Sequence, residues 1–220
     1  MSPQLLLFAK APQPGRVKTR LCPPATPEQA AFIAQAALAD TIDVLSTTPA
    51  TRRTVVLSGR YAVPPGWHTV AQRGHGLADR LVHAYTDTAL TGTPSLLVGM
   101  DTPQLTTTLL TAAVRTLYDG ADAVLGPAED GGWWILGLRD PSHADALRAV
   151  PMSTPDTGTD TLAALRVRGL TVALLTRLRD VDTVDDAYAV AAHCPHRRFA
   201  HAVRAHLPAT TVLGDGSVPA

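Results

Sequence analysis

The chain has 220 residues, an apolar fraction of 45% and a formal net charge of zero, with 19 Lys plus Arg against 19 Asp plus Glu. That length suits one packed domain, and the charge balance excludes the broad basic face on which nucleic-acid binding depends. Cys22 and Cys194 are too few and too far apart for a disulfide framework and suit a reducing compartment.

The opening residues carry no cation ahead of a short apolar run that prolines soon end, which is not the pattern of a secretory leader. No apolar stretch approaches membrane-spanning length, so a cytoplasmic protein without a membrane partner is expected. Leu5 to Phe8 reads as a buried parallel strand closed by a Pro/Gly loop. Thr26-Pro27 then reads as a helix cap followed by proline at the first helical position, opening a helix to about Leu45. Strands are expected at Thr54 to Leu57 and His68 to Ala71. After the Gly74-His75-Gly76 turn, Leu77, Leu81, Ala84 and Tyr85 share one helical face. Leu96 to Val98 is the next strand and Thr106 to Tyr118 the next helix, with the threonines at its start as caps. Strands at Ala121 to Gly126 and Trp133 to Leu138 follow, then helices at Ser142 to Arg148 and Thr159 to Arg168. A strand at Leu170 to Leu175 and a helix at Thr183 to His193 complete the pattern. Alternating strands and helices imply an α/β fold, a three-layer α/β/α sandwich around a mostly parallel, Rossmann-like sheet. One domain over residues 1–207 is expected, with a disordered tail at 208–220.

The cations are distributed unevenly: Lys10 and Lys18 are the only lysines, against seventeen arginines. Both flank the loop after the first strand, where Gly15, Arg16 and Arg20 also lie. A loop with several donors and a glycine can wrap one anion, and an ammonium is a compact, rotatable donor for phosphate oxygens. The spacing is not that of a Walker loop. Asp101, directly after the strand at Leu96 to Val98, is placed to reach a divalent cation at the mouth of the sheet, with Pro103 stiffening its turn. Between Leu125 and Leu138 an acidic Gly-Gly hairpin, with Asp130, Gly131 and Gly132, leads into Trp133 and Trp134. Neighbouring strand residues face opposite sides, so one tryptophan can enter the core while the other meets a ligand. In Asp180 to Asp186, Thr183 fits a helix cap and Asp185 and Asp186 fit the first turn, which leaves Asp182 free as a second metal carboxylate. His193, Cys194, His196, His201 and His206 lack a shared face for zinc and fit a terminal helix. Ser58 and Ser153 lack the context of a nucleophile elbow.

Together these segments resemble the DUF2064 family, within the nucleotide-diphospho-sugar transferase (GT-A) superfamily. The family's F-x-K-x-P-x-P-G-x-V-K-T-R-L is met by Phe8 to Leu21, its G-x-D-x-P-x-L by Gly99 to Leu105, its G-P-x-x-D-G-G and aromatic pair by Gly126 to Trp134, and its D-V-D-T-x-x-D by Asp180 to Asp186. Looser matches are Gln72 to Leu81 and Met152 to Thr154, where Ala78 and Met152 stand in place of the family's usual Gly and Trp. The first and last motifs are also similar to those of the nucleotidyltransferases that build the F420 precursor, which lack the Gly-Gly-Trp-Trp hairpin.

The resemblance implies a metal-dependent transferase acting on a nucleotide-activated donor. Lys10, Gly15, Arg16, Lys18, Arg20, Gly74, Gly76 and Arg80 would bind the nucleotide and its phosphates, and Asp101 and Asp182 would hold Mg2+ or Mn2+. Lys18 and Asp130 would be catalytic, and Gly131, Gly132, Trp133, Trp134, Ser153 and Thr154 would meet the sugar or acceptor. Glycosyl transfer to a small-molecule acceptor is the leading expectation. Nucleotidyl transfer with release of pyrophosphate, and nucleotide binding without turnover, are the alternatives. A homodimer is compatible with this reading, which leaves the oligomeric state open.

Overall fold

Leu5, Leu6 and Leu7 are all fully buried, which a strand achieves only when both faces of its sheet are covered. Their strand, β1 (Gln4–Lys10), lies inside a seven-stranded sheet in a computed structural model that describes residues 2–208. The other strands are β2 (Arg52–Ser58), β3 (His68–Ala71), β4 (Ser95–Gly99), β5 (Ala123–Pro127), β6 (Trp133–Leu138) and β7 (Val172–Leu174). Their spatial order is β3-β2-β1-β4-β6-β5-β7. All neighbours run parallel except β6, which is antiparallel to both β4 and β5. The hairpin between β5 and β6 is the cause: a tight turn can only reverse the chain.

Side-chain alternation divides the core between the two faces. Leu5, Leu7, Leu96, Val98 and Trp134 face α1 (Pro27–Thr47) and α3 (Thr107–Tyr118). Leu6, Val56, Leu97, Leu125 and Leu136 face α2 (Gly76–Thr86) and α4 (Thr157–Val167). This is the expected three-layer sandwich. A further cluster joins α1 to α5 (Val184–His193) and α6 (Arg198–His206) through Ile33, Ala37, Val190 and Phe199. Because α1 is covered on two sides it is unusually apolar. Among the described residues it is the one helix long and apolar enough to span a membrane, yet 67% of that window is buried within the protein.

The helix starts follow local chemistry. Thr26 accepts from the Gln29 amide at 3.3 Å while Gln29 Oε1 accepts from the Thr26 amide at 2.8 Å, a reciprocal cap on α1. Thr106 caps α3 by accepting from Leu109, and Thr183 caps α5 by accepting from Asp186. The segment expected as an α-helix at Ser142 to Arg148 is instead a 3-10 helix over Pro141–Ala149. Its buried Pro141, Ala144 and Leu147 recur every third residue, which matches the three-residue turn of that helix rather than the 3.6 of an α-helix. A short 3-10 turn at Thr19–Leu21, not anticipated from the sequence, closes the first loop. From residue 209 onward the expected disordered tail lies outside the described residues.

Candidate active site

At the carboxyl ends of β1 and β4 the chain leaves a cleft of about 750 Å3, the position at which open α/β sheets collect ligands. The loop after β1 turns at Gly15 (φ 71°) and again at Lys18, a non-glycine residue held in the left-handed region at φ 48°, ψ 38°. That turn drives the Lys18 side chain inward until it is 8% exposed. Its Nζ lies 2.5 Å from Asp101 Oδ1 and 3.6 Å from Asp182 Oδ1, and it donates to the Val181 carbonyl. Burial works to strip the proton from this ammonium, but Asp101 and, less strongly, Asp182 and Asp180 outweigh it and hold Lys18 above its ordinary pKa. Lys18 is thus the counter-ion of a carboxylate cluster rather than a free hand at the rim. Arg20 joins it, its guanidinium 2.9 Å from Asp182 Oδ2. Lys10 and Arg16 line the same cleft and make no ion pair among the described residues.

Asp101 does not cap a helix, since Thr106 does so for α3. Its backbone carbonyl accepts from the Val181 amide at 2.9 Å, and Gln104 Nε2 donates to the Arg179 carbonyl at 2.7 Å, so the loop after β4 is sewn to the segment before α5. This stitching brings Asp180 into the cluster. Burial, then the nearby Asp101 and Asp130 carboxylates, push its carboxyl up to about 8. Its Oδ1 and the Thr102 hydroxyl, both at the cleft, are buried without a hydrogen-bond partner. Val181, between Asp180 and Asp182, is fully buried, and both flanking carboxylates line the cleft.

The hairpin after β5 forms the far wall. Asp130 Oδ1 accepts from the Gly132 amide at 2.9 Å, and Gly131 sits at φ 92°. A Cβ on Gly131 would lie 1.8 Å from the Pro155 carbonyl oxygen, and the Gly158 amide donates to the Gly131 carbonyl at 2.7 Å. Only glycine lets the two backbones approach so closely, and the contact locks the hairpin to the loop carrying Ser153 and Thr154. Trp134 is 1% exposed, its Nε1 donating to the Thr176 carbonyl at 3.0 Å, while Trp133 is half-buried on the opposite face.

The structure therefore gathers Lys10, Arg16, Lys18, Arg20, Asp101, Asp130, Asp182, Gly132, Trp133, Trp134, Ser153 and Thr154 around one cleft. Gly15, Gly74, Gly76, Arg80 and Gly131 do not line it. Gly74 (φ 116°) packs against Asp79 and His83, and the Arg80 guanidinium donates to the Gly76 carbonyl at 3.0 Å. Asp180, Thr102, Met152, Leu77, Leu81 and Phe8 line the cleft without having been anticipated as site residues.

Among the described residues no three metal-ligating side chains form a ready-made cage. Asp101, Asp180 and Asp182 nonetheless offer the all-oxygen donors that Mg2+ and Mn2+ take, and Asp180 Oδ1 lacks any other partner. Such ions are commonly held by one or two carboxylates and completed by substrate phosphates, so an incomplete protein cage fits them.

No curated protein matches the sequence. Among solved structures, a Desulfovibrio desulfuricans G20 protein provisionally described as a nucleotide-diphospho-sugar transferase is 27% identical, with a TM-score of 0.84 over 93% of this chain and 95% of that one. A 4-diphosphocytidyl-2C-methyl-D-erythritol synthase shares the fold at 14% identity, with a TM-score of 0.59 over 88% of this chain and 100% of that one. So does Rv0371C of Mycobacterium tuberculosis H37Rv in complex with manganese, at 18% identity and a TM-score of 0.55 over 86% of this chain and 98% of that one. A family model described as an uncharacterized protein conserved in bacteria matches residues 31–154, more than half of the sequence, and the chain belongs to that family, DUF2064.

Proposed function

We propose that the chain is a nucleotide-dependent transferase which moves a sugar from a nucleoside-diphosphate sugar to the hydroxyl of a small acceptor. One observation carries this reading: unpaired cations, Lys10 and Arg16, and a carboxylate cluster bridged by Lys18 meet in a single cleft at the ends of β1 and β4. Lys10 and Arg16 suit the donor's phosphates, and Asp101, Asp180 and Asp182 suit a magnesium or manganese ion beside them. Such an ion, when bound, would supply Lewis-acid stabilisation of the leaving diphosphate.

In the step itself the acceptor oxygen bonds to the anomeric carbon as the bond from that carbon to the diphosphate oxygen breaks. The electron pair leaves with the diphosphate, whose added charge Lys10 and Arg16 offset. The hydroxyl proton passes to Asp130, whose Oδ1 is engaged by Gly132 and whose Oδ2 has no hydrogen bond among the described residues.

Isothermal titration with UDP- and GDP-sugars in Mn2+ tests the assignment. Lys10→Ala and Asp101→Ala are expected to lose metal-dependent binding by about tenfold or more, and unchanged binding in both variants refutes it. A second reading, nucleotidyl transfer, is supported by the Lys18 ammonium beside the Asp101 and Asp182 carboxylates, which would hold the divalent ion of a bound triphosphate. Pyrophosphate release from a nucleoside triphosphate plus an acceptor supports that reading, whereas sugar-nucleotide turnover without pyrophosphate supports the first.

A further inference from the structure

The cleft has two unlike walls. Along the first loop and the strand-end aspartates it is charged, and on the side of α2 it is apolar: Phe8, Leu77, Leu81, Trp133 and Met152 come from four separate segments and belong to or pack on one core cluster. Phe8, Leu77, Trp133 and Met152 rest on the core beneath α2 and α4 and are only half-buried, so each keeps an open face.

Half of the charged groups that line the cleft are already committed to one another. Of its four cations, Lys18 and Arg20 are already paired with Asp101 and Asp182, which leaves Lys10 and Arg16 for the donor's diphosphate. The cations around α2 are turned elsewhere: Arg73 pairs with Asp87, Arg148 with Asp79, and Arg80 bonds to the Gly76 carbonyl. A phosphorylated or carboxylated acceptor would therefore meet the Asp130 carboxylate with no uncommitted cation of its own, and like charges brought together are unfavourable. A polyol would be poorly served as well: the hydroxyls on that side are those of Ser153, Thr154 and Thr157, and the Thr157 hydroxyl already donates to the Pro151 carbonyl and accepts from the Thr154 amide.

Resting on the transferase reading, we infer that the acceptor is an uncharged alcohol with an apolar body, which the wall of Leu77, Leu81, Trp133 and Met152 holds with its hydroxyl turned toward Asp130. Removing the body from water supplies the affinity, and the lone hydroxyl supplies the orientation.

Calorimetric titration of the full chain with cyclohexylmethanol and with glycerol phosphate, in Mn2+ and with or without a nucleoside diphosphate, tests this. The alcohol is expected to bind about tenfold or more tightly than the phosphate. Met152→Lys is expected to weaken the alcohol and strengthen the phosphate, with Trp133→Ala weakening the alcohol alone. Melting curves establish that both variants fold, and Leu77→Ser replaces either that does not. Tighter binding of glycerol phosphate to the native chain overturns the inference. So does alcohol binding that none of the variants alters, and so does mutual exclusion of alcohol and nucleotide, which would assign the wall to the base. If no nucleotide binds at all, the transferase reading fails on its own, while a preference for the alcohol that responds to Met152→Lys still upholds the apolar site.

Discussion

Lys18 and Ser153 are the two non-glycine residues with positive φ among the described residues, and both line the cleft. Backbone strain of about 1–3 kcal/mol persists only where surrounding contacts fix it, and at Lys18 those contacts are the carboxylates. The chemistry of this lysine was legible in the sequence, since an ammonium kept in a chain of arginines implies a specific anionic partner. The identity of that partner was not: the loop motif points to phosphate, whereas the folded chain turns the same ammonium onto Asp101 and Asp182. Asp180 was hidden for a related reason, because its burial depends on a backbone bond between residues 101 and 181 that no local pattern announces. Lys18 and a divalent cation occupy the same electrostatic niche, so removing the ammonium should invite the ion. Lys18→Met is expected to melt several degrees below the native chain in EDTA, since partly buried carboxylates lose their counter-charge. Added Mn2+ should then raise the variant's Tm by more than it raises that of the native chain. An equal response in differential scanning fluorimetry would show that the two do not compete.

At the scale of elements, the strands, the long helices and the Thr caps followed from periodicity and cap chemistry, but two features depended on partners far along the chain. One is α6. Its first amides, those of Arg198 and Phe199, donate to the Asp40 carboxylate in the middle of α1 at 3.2 and 2.8 Å. Asp40 is only 2% exposed, and an aspartate inside an apolar helix is legible only as an anomaly until the second helix is seen. Asp40→Ala leaves those amides unmet and is expected to cost about 2–3 kcal/mol, read as a lowered denaturant midpoint. A wild-type midpoint in that variant would mean that solvent caps α6 equally well. The other feature is the pair that brackets α2, in which Arg73 meets Asp87 through two 2.6 Å bonds. The guanidinium holds the Asp87 carboxyl below its ordinary value of 3.8. A depressed folded value means that the unfolded chain takes up the proton first, so the contribution is present above that ordinary value and is lost as the pH falls through the folded one. Since the pair is partly exposed, Asp87→Asn is expected to cost about 1 kcal/mol or less at neutral pH. The gap should narrow as the pH falls below the ordinary carboxylate value and close once the folded carboxyl is protonated, and melting temperatures measured across that acid range check it.

For the molecule as a whole, the sequence declared an α/β sandwich because alternating strands and helices have few other ways to bury apolar runs. It did not declare the order of strands. That order depends on β6, which runs back from the acidic hairpin and inserts between β4 and β5, antiparallel to both. The site is consequently assembled from chain positions more than 160 residues apart, with Lys18 bonding to the carbonyl of Val181 across a separation of 163. A chain emerges from the ribosome from its N-terminus and folds as it emerges. Lys18 is made early, Asp101 near the middle of the chain, and Val181 and Asp182 late, so the ammonium gains its partners in stages. The bond from Lys18 to Val181 thus ties the first loop of the chain to a segment that follows the last strand of the sheet, so the turn at Lys18 has its full set of partners only when all seven strands have been made.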